Sequence, residues 1–180
     1  RTAVIPTPIV RGNEVYVTAG YGSGSKLVRI AADGTIDATF SPAPNGDVAA
    51  LAVQSDGKIL VAGAFTAFTP NLTSTAVPRS YLARVNENGT IDTNYNPSPN
   101  SNVNALVLQA DGKVVAGGLF TSVIPNATAT PVTRNHLARF NADGSLDAAF
   151  NPSPNGIVLG LAPHVENKLV VAGGFTALTP

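Results

Sequence analysis

Residues 82–121 read LARVNENGTIDTNYNPSPNSNVNALVLQADGKVVAGGLFT, and this stretch decides the fold because it recurs on both sides at a step of 55 residues. Gly34, Gly89 and Gly144 each lie one such step apart. The same step links three further sets of identical residues: Asp37, Asp92 and Asp147; Lys58, Lys113 and Lys168; and Phe65, Phe120 and Phe175. Self-similarity at a period of this length is typical of supersecondary units that bury their faces against one another.

Each repeat opens with a predicted β-hairpin. In LVRIAADGTID, residues 27–37, apolar residues flank an Asp-Gly turn signal. A three-residue loop at 32–34 places Ile30 opposite Ile36 and Arg29 opposite Asp37. Opposite charges directly across two strands are stabilising, which favours this register over that of a two-residue loop. The same loop predicts two more cross-strand pairs, Arg84 with Asp92 and Arg139 with Asp147.

A proline-rich link leads from the first hairpin to a second one. Its two prolines cannot donate ladder hydrogen bonds, so we expect a stiff connection outside the sheets. The second hairpin turns at residues 55–57 and pairs Leu51 with Val61 and Val53 with Ile59. Both of its faces are apolar, as expected for a strand pair packed between neighbouring sheets. The links read SPAPN at 41–45 and NPSPN at 96–100 and 151–155.

Four strands in each repeat, without any helical pattern, predict an all-β repeat protein of β-propeller-like, four-stranded blades with a period of 55 residues. Segments 65–81 and 120–136 are polar and lack periodicity, so we expect long surface loops there. The last repeat has a weaker second turn, Glu166-Asn167, and stops before its loop is complete. The predicted divisions are a half repeat, holding the last two strands of a blade, and three repeats: 1–24, 25–80, 81–135 and 136–180.

Composition limits the classes of function. The chain has 11 basic and 11 acidic residues among 180, without a block of either sign, which argues against nucleic-acid binding. No apolar run approaches the ~18 residues of a membrane span, so membrane insertion is not expected. The absence of Cys removes disulfides, thiolate catalysis and Cys-ligated metals. The first residues, RTAVIPTPIV, lack the features of a signal peptide, so we expect an excised or processed segment.

Two N-x-Thr sequons lie one repeat apart in the long loops, at Asn71 and Asn126. A shared phase in an exposed loop makes them the predicted first sites of any glycosylation, because a sugar there would cost no packing. The alternative is that both are simply solvated loop asparagines. A third sequon, at Asn88, sits in a predicted tight turn.

No residues form a recognisable catalytic, cofactor or metal site. His136 and His164 do not share a repeat phase, and neither stands in a metal-ligand spacing. Sugar binding would need exposed aromatic side chains, for which Phe68 and Tyr81 in or beside the first long loop are the candidates. Three further aromatic residues share a phase and are predicted to be core: Phe40, Tyr95 and Phe150.

Two strings, LARFNADGSLDAAFNPSPNG at 137–156 and VNALVLQADGKVVAGGLFT at 103–121, resemble the delta-60 repeat. The resemblance covers nearly all of 27–176. It implies a bacterial β-propeller-like repeat of large secreted and surface proteins, without catalytic residues. We therefore expect a non-enzymatic extracellular or cell-surface module that serves as scaffold, adhesin or fibre segment. A carbohydrate-binding propeller module is the alternative, followed by a hydrolase with a rim pocket.

The repeat pattern also predicts an incomplete array. The chain holds the third and fourth strands of one unit and then three full units, so its first half-blade is expected to expose an unpaired edge. The missing strand pair would come from further repeats of the same polypeptide or from a neighbouring identical subunit.

Overall fold

The computed structural model describes residues 9–11, 14–19, 26–73, 75–127 and 130–179. The chain divides into two compact units, Arg1–Asp92 and Thr93–Pro180. The described residues form short antiparallel sheets and two single 3-10 turns, and they contain no α-helix. Within those residues, no helix has the length and apolarity needed to cross a membrane.

The first unit holds two three-stranded sheets and one ribbon. Strands β1, β2 and β3 form one sheet, β4, β5 and β8 form the second in the order β4-β5-β8, and β6 pairs with β7. A 3-10 turn, Pro70–Leu72, joins the two strands of the ribbon. The strands are β1 Ile9–Arg11, β2 Glu14–Ala19, β3 Lys26–Ile30, β4 Val48–Val53, β5 Ile59–Gly63, β6 Ala67–Phe68, β7 Val77–Pro78 and β8 Leu82–Val85.

The second unit holds one three-stranded sheet, one ribbon and one two-stranded sheet. Strands β9, β10 and β13 form a sheet in the order β13-β10-β9, β11 pairs with β12, and β14 pairs with β15. A 3-10 turn, Pro125–Ala127, again joins the strands of the ribbon. The strands are β9 Val103–Leu108, β10 Val114–Gly118, β11 Ser122–Val123, β12 Val132–Thr133, β13 Leu137–Phe140, β14 Val158–Pro163 and β15 Leu169–Gly173.

The first hairpin has the predicted three-residue loop. The amide of Ala31 donates to the carbonyl of Thr35 at 2.9 Å, and Ile30 bridges Ile36. The amide of Gly34 donates to the carbonyl of Ala31, with φ at +83° for Gly34. Glycine is needed there because a side chain is disfavoured in the left-handed region.

The second hairpin also has the predicted register, with Leu51 opposite Val61 and Val53 opposite Ile59. In the last repeat the turn moves by one residue. Glu166 and Asn167 both have φ at +57°, and the amide of Lys168 donates to the carbonyl of Val165. Positive φ at both central residues defines a type I′ turn, which suits the twist of a hairpin. The weakened turn therefore still closes β14 onto β15.

The boundaries of the sheets do not coincide with the predicted divisions of the chain. Ile59 of β5 lies opposite Val85 of β8, and Val114 of β10 lies opposite Phe140 of β13. Each three-stranded sheet of this kind therefore combines the second hairpin of one repeat with the first strand of the next. The long loop brings that strand back antiparallel to the open edge of the hairpin. The sheets consequently span the divisions at 80/81 and 135/136.

The second strand of each predicted first hairpin is reduced to one bridging residue. Ile36, Ile91 and Leu146 each pair with the end of the preceding strand as an isolated bridge. Asp92 continues this pairing by donating its amide to the carbonyl of Arg84 at 2.8 Å. The residues that follow turn toward the proline-rich link, so the ladder ends.

Each long loop contains a two-stranded ribbon, which the expectation of a plain surface loop did not include. The ribbon β6–β7 occupies the first loop, and Phe68 is fully buried with its ring 4.7 Å from that of Phe65. Phe68 is therefore a core residue and is not available to stack on a sugar. The proline-rich link is also paired, because the carbonyl of Ala43 accepts from Thr69 and Pro44 bridges Phe68. Proline lacks an N–H, but its neighbours supply the bonds.

The core of each unit lies between facing sheets. In the first unit Leu27 and Phe40 pack with Ile59, Val61 and other buried residues of β5 and β8. In the second unit, Val107, Val115 and Leu137 pack with residues of β14 and β15. Of the aromatic residues predicted to be core, Phe40 and Tyr95 are buried, whereas Phe150 is half-buried.

Substitution of Gly118 should destabilise the protein, because a Cβ there would collide with the carbonyl oxygen of Asn102. We expect Gly118→Ala to destabilise the protein by at least about 1–3 kcal/mol, the usual cost of overpacking. Gly160→Ala is the matched control, since its Cβ would meet nothing closer than the Cβ of Ala172 at 4.0 Å. Urea denaturation of both variants tests this, and equal midpoints would contradict the close approach.

Candidate functional site

The predicted arginine–aspartate pairs lie at the base of each first hairpin. Nε and Nη2 of Arg29 donate to Oδ2 of Asp37 at 2.9 and 2.6 Å. Nε of Arg84 donates to Oδ2 of Asp92 at 3.0 Å. The equivalent distance from Arg139 to Asp147 is 2.9 Å. The three-residue loop brings each pair together because residues eight apart then face the same side of the hairpin.

A lysine from the preceding repeat completes two of these clusters. Nζ of Lys58 donates to Oδ2 of Asp92 at 2.9 Å, and Nζ of Lys113 donates to Oδ2 of Asp147 at 2.8 Å. The aspartate side chains are only 8% and 10% exposed. Sequence reasoning missed these lysines, although they share the repeat step with the aspartates. We call Lys58, Arg84 and Asp92 the first charge cluster, and Lys113, Arg139 and Asp147 the second.

Aromatic rings support two of the arginines. The guanidinium of Arg29 lies 5.1 Å from the ring centroid of Phe40, and that of Arg139 lies 4.4 Å from that of Phe150. A cation over an aromatic face is attracted by the ring quadrupole, most strongly when water is excluded. Phe40 and Phe150, which the sequence predicts to be core residues, therefore also position the two arginines.

Hydrogen bonds hold the aspartates in their charged form. Thr39 donates its amide and hydroxyl to Oδ1 of Asp37, and together with Arg29 on Oδ2 this lowers the pKa of Asp37 to about 2. The bond from Lys113, followed by the charge of Arg139, lowers the pKa of Asp147. A carboxyl whose pKa is depressed in this way is a poor general base at neutral pH.

An asparagine series that sequence reasoning missed fixes the proline-rich link to the end of the second hairpin. Oδ1 of Asn45 accepts from the amides of Thr66 and Ala67 at 2.8 and 2.9 Å, while its Nδ2 donates to Oγ1 of Thr66 at 2.9 Å. The same three bonds recur in the other repeats at Asn100 and Asn155. The sequence did offer a signal: the asparagine that ends each Pro-x-Pro-Asn string recurs at the repeat step of 55 residues.

The two sequon asparagines hold the long loops to the next hairpin. Nδ2 of Asn71 donates to the carbonyl of Asn88 at 3.1 Å, and Nδ2 of Asn126 donates to that of Asp143 at 3.1 Å. A Cβ added to Gly89 would lie 2.8 Å from Oδ1 of Asn71. Both asparagines are exposed, as expected of the long loops, but their side-chain nitrogens already donate to backbone carbonyls. A sugar on Nδ2 would have to share that nitrogen with a hydrogen bond, so glycosylation stays a prediction.

Two buried arginines in the long loops were also missed. Arg79 donates to the carbonyls of Pro78 and Asp92, and Arg134, one repeat later, donates to those of Thr133 and Ala148. Burial lowers the pKa of Arg79, and the charge of Asp92 opposes this effect. Each arginine thus satisfies carbonyl groups where the loop meets the following hairpin.

A shallow polar groove lies beside the first charge cluster. Its volume is about 600 Å³. Arg29, one of its lining residues, donates Nη1 to the carbonyl of Glu87 at 3.0 Å. The groove can offer amides, hydroxyls and charges of both signs to a ligand. It is lined by Arg29, Thr39, Asp56, Lys58, Asn86, Glu87 and Asn88.

The histidines lie on separate elements of the second unit. Nδ1 of His136 is 3.2 Å from the carbonyl of Gly118, which can only accept, so Nδ1 carries the proton. His164 is exposed in the last hairpin turn. Within the described part of the chain, no three His, Cys, Asp or Glu residues are grouped as metal ligands would be.

Comparison with known families identifies the repeat. Three segments, residues 15–40, 54–95 and 109–150, match the family described as "Domain of unknown function (DUF5122) beta-propeller". These segments cover more than half of the chain, so the protein belongs to this β-propeller repeat family. Each of the two longer segments runs from the turn of the second hairpin of one repeat through the first hairpin of the next repeat. The three-stranded sheets join the same two hairpins. No curated protein matches the chain.

Loss of the Asp92 charge should be costly, because Arg84 would keep its charge at a site where only 9% of its side chain is exposed. We expect Asp92→Asn to lower the free energy of unfolding by about 3–5 kcal/mol, the usual cost of removing one partner of a buried ion pair. Glu166→Gln is the control, since it removes an exposed pair with Lys168 worth at most about 1 kcal/mol. Chemical denaturation measures both, and equal losses would show that the first charge cluster contributes nothing special.

Acid should destabilise the protein through the aspartates. The folded pKa of Asp37 is about 2, below its ordinary value of 3.8, so the unfolded chain binds more protons between these values. The stabilisation from Asp37 is therefore complete above the ordinary pKa and is lost as the pH falls toward 2. The lowered pKa of Asp147 acts with the same sign. Thermal melts from pH 6 to pH 2 should show a smaller acid loss for Asp37→Asn than for the unaltered protein; parallel curves would contradict this assignment.

Proposed function

We propose that this protein is a non-enzymatic structural repeat module of an extracellular or cell-surface protein, serving as scaffold, adhesin or fibre segment. One observation carries the proposal: the polar residues that recur at the repeat step bond to one another. The charge clusters join one repeat to the next, and Asn45, Asn71 and Arg79 join links and loops to hairpins.

This use of polar groups favours structure over catalysis. A catalytic acid, base or nucleophile needs a free group within reach of the substrate and a pKa suited to its task. Asp92 and Asp147 instead accept from two cations each. A scaffold needs such internal bonds because each repeat is too small to be stable by itself.

The extracellular location is supported by a family resemblance and by the composition. The resemblance to the delta-60 repeat implies large secreted and surface proteins, and the chain has only 12% charged residues, with polar Asn, Thr and Ser elsewhere. Glycans on Asn71 and Asn126 belong to the same proposal. Further repeats of the same polypeptide, or a neighbouring identical subunit, are the proposed partners.

The groove supports a second candidate, carbohydrate binding. Asn86, Asn88 and Thr39 present amide and hydroxyl groups, which can bind sugar hydroxyls. Its lining residues include no aromatic side chain on which a sugar could stack. A structural role is therefore the preferred function, and carbohydrate binding is the alternative.

Protease treatment of intact source cells tests the location. We expect cleavage of the native protein while a cytoplasmic marker in the same cells stays whole. Peptide mapping of that native material then shows whether Asn71 and Asn126 carry sugar. A protein that is protected in intact cells and cleaved only after lysis would overturn the extracellular assignment.

A glycan array separates the two candidates. A structural module should bind no glycan, whereas a carbohydrate-binding module should bind one class and lose it in the variant Asn88→Ala. Gln54→Ala, outside the groove lining, is the control for the array. Specific binding abolished by Asn88→Ala alone would replace the structural proposal with the carbohydrate one.

A further inference from the structure

We propose that the sheet β14–β15 is a docking site for one more first hairpin, of the pattern Leu-Ala-Arg followed by Asp eight residues after the Arg, from another repeat of the same polypeptide. The proposal deepens the structural role proposed above and rests on it only in treating the module as one that joins others. Three observations on the second unit support this site. The two complete sheets then give the register of the occupant.

The first observation is an open strand edge. In the other two repeats the last strand of the second hairpin, β5 or β10, pairs on its outer side with β8 or β13. Among the described residues, β15 pairs with β14 alone. The unpaired N–H and C=O groups of such an edge are a template for an added strand.

The second observation is an uncovered apolar face. Val115 of β10 is fully buried, and it belongs to the core cluster that Val158 of β14 and Leu169 of β15 share. A Cβ on Gly117 would collide with Val158, which shows how closely β14 approaches β10. Val170 has the phase of Val115 in the next repeat and is 53% exposed. Val170 lies on the face of β14–β15 opposite to the one that packs on β10, and no described residue covers that face.

The third observation is an unmatched lysine. Lys58 and Lys113 each donate to the aspartate of the following hairpin, whereas Lys168, at the same phase, donates within the described residues to Glu166 of its own turn. The Lys168 side chain is 65% exposed, compared with 34% and 32% for the other two. An aspartate eight residues after the docked arginine would take the place that Asp92 and Asp147 occupy.

The two complete sheets give the register of the docked strand. Leu60 lies opposite Arg84 and Val115 lies opposite Arg139, so the arginine of the incoming strand pairs with Val170. Its leucine then lies opposite Ala172, and an apolar residue lies opposite Leu169. This register places the following aspartate at Lys168.

A second copy of this chain is the poorer occupant. Each first hairpin of this chain is already paired, because β3 pairs with β2, β8 with β5, and β13 with β10. A second copy could supply one only by breaking an existing sheet. A hairpin from an additional repeat carries no such cost.

The test extends the full chain. A copy of residues 126–150 is joined after residue 180, which keeps the repeat step, and amide hydrogen exchange is compared with that of the 180-residue chain. We expect Leu169–Gly173 to exchange at least tenfold more slowly in the extended protein. Lys168→Gln should remove part of this protection, whereas Lys26→Gln, on an exposed lysine of β3, should leave it unchanged.

A control extension carries Ala in place of the residues copied from Arg139 and Asp147, and it should protect Leu169–Gly173 less than the unaltered extension. Equal exchange in the extended and 180-residue proteins would overturn the proposal. Protection that appears in the 180-residue chain only as its concentration rises, with dimers in sedimentation, would assign the site to a second copy and overturn it as well. Neither result depends on where the protein resides in the cell, so the structural role proposed above stands or fails separately.

Discussion

Neutralising a buried carboxylate is the constraint on which the second and third repeats depend. Asp92 lies at the base of its first hairpin, and little of its side chain is exposed. Its charge therefore has to be neutralised by donors that the fold places beside it. Arg84 comes from the same hairpin, but Lys58 comes from the preceding second hairpin. The carboxylate can be satisfied only after both hairpins are formed and placed together. A local turn choice is thereby linked to the pairing of β5 with β8.

The hairpin turns serve as contact points for the loops. Asn71 and Asn126 lie in the left-handed region, with φ at +52° and +49°, and each reaches the turn of the next hairpin. Asparagine tolerates this conformation better than most residues because its short side chain can bond locally. Among the described residues no atom lies within 4 Å of a Cβ placed on Gly34. A glycine is thus needed for the turn of all three first hairpins. At Gly89 and Gly144 it also leaves room for the asparagine of the long loop.

Local rules account for what the sequence predicted well. The three-residue loop, the registers of both hairpins and the arginine–aspartate pairs depend on residues within about ten positions of each other, where glycine and opposite charges decide the geometry. The lysine of each charge cluster, the bonds of Asn45 and the bridge of Phe68 to Pro44 depend on which strand lies beside an edge, over 20 residues or more. Those pairings are set by tertiary packing, and polar loop composition concealed them. Repeat phase was the one signal that reached so far, since Lys58 and Asp92 keep the same step.

The offset between sequence repeat and sheet has a physical consequence. If every sheet were made from one repeat, each repeat could fold with its hydrogen bonds complete and its neighbours would add only face-to-face packing. Here β8 and β13 carry the backbone pairing into the previous repeat, and the charge clusters follow the same path. Hydrogen bonds, buried charge and apolar packing therefore all join adjacent repeats within each unit. An array built in this way loses more than one face when a neighbour is removed, which makes its cooperativity stronger than that of simple stacking.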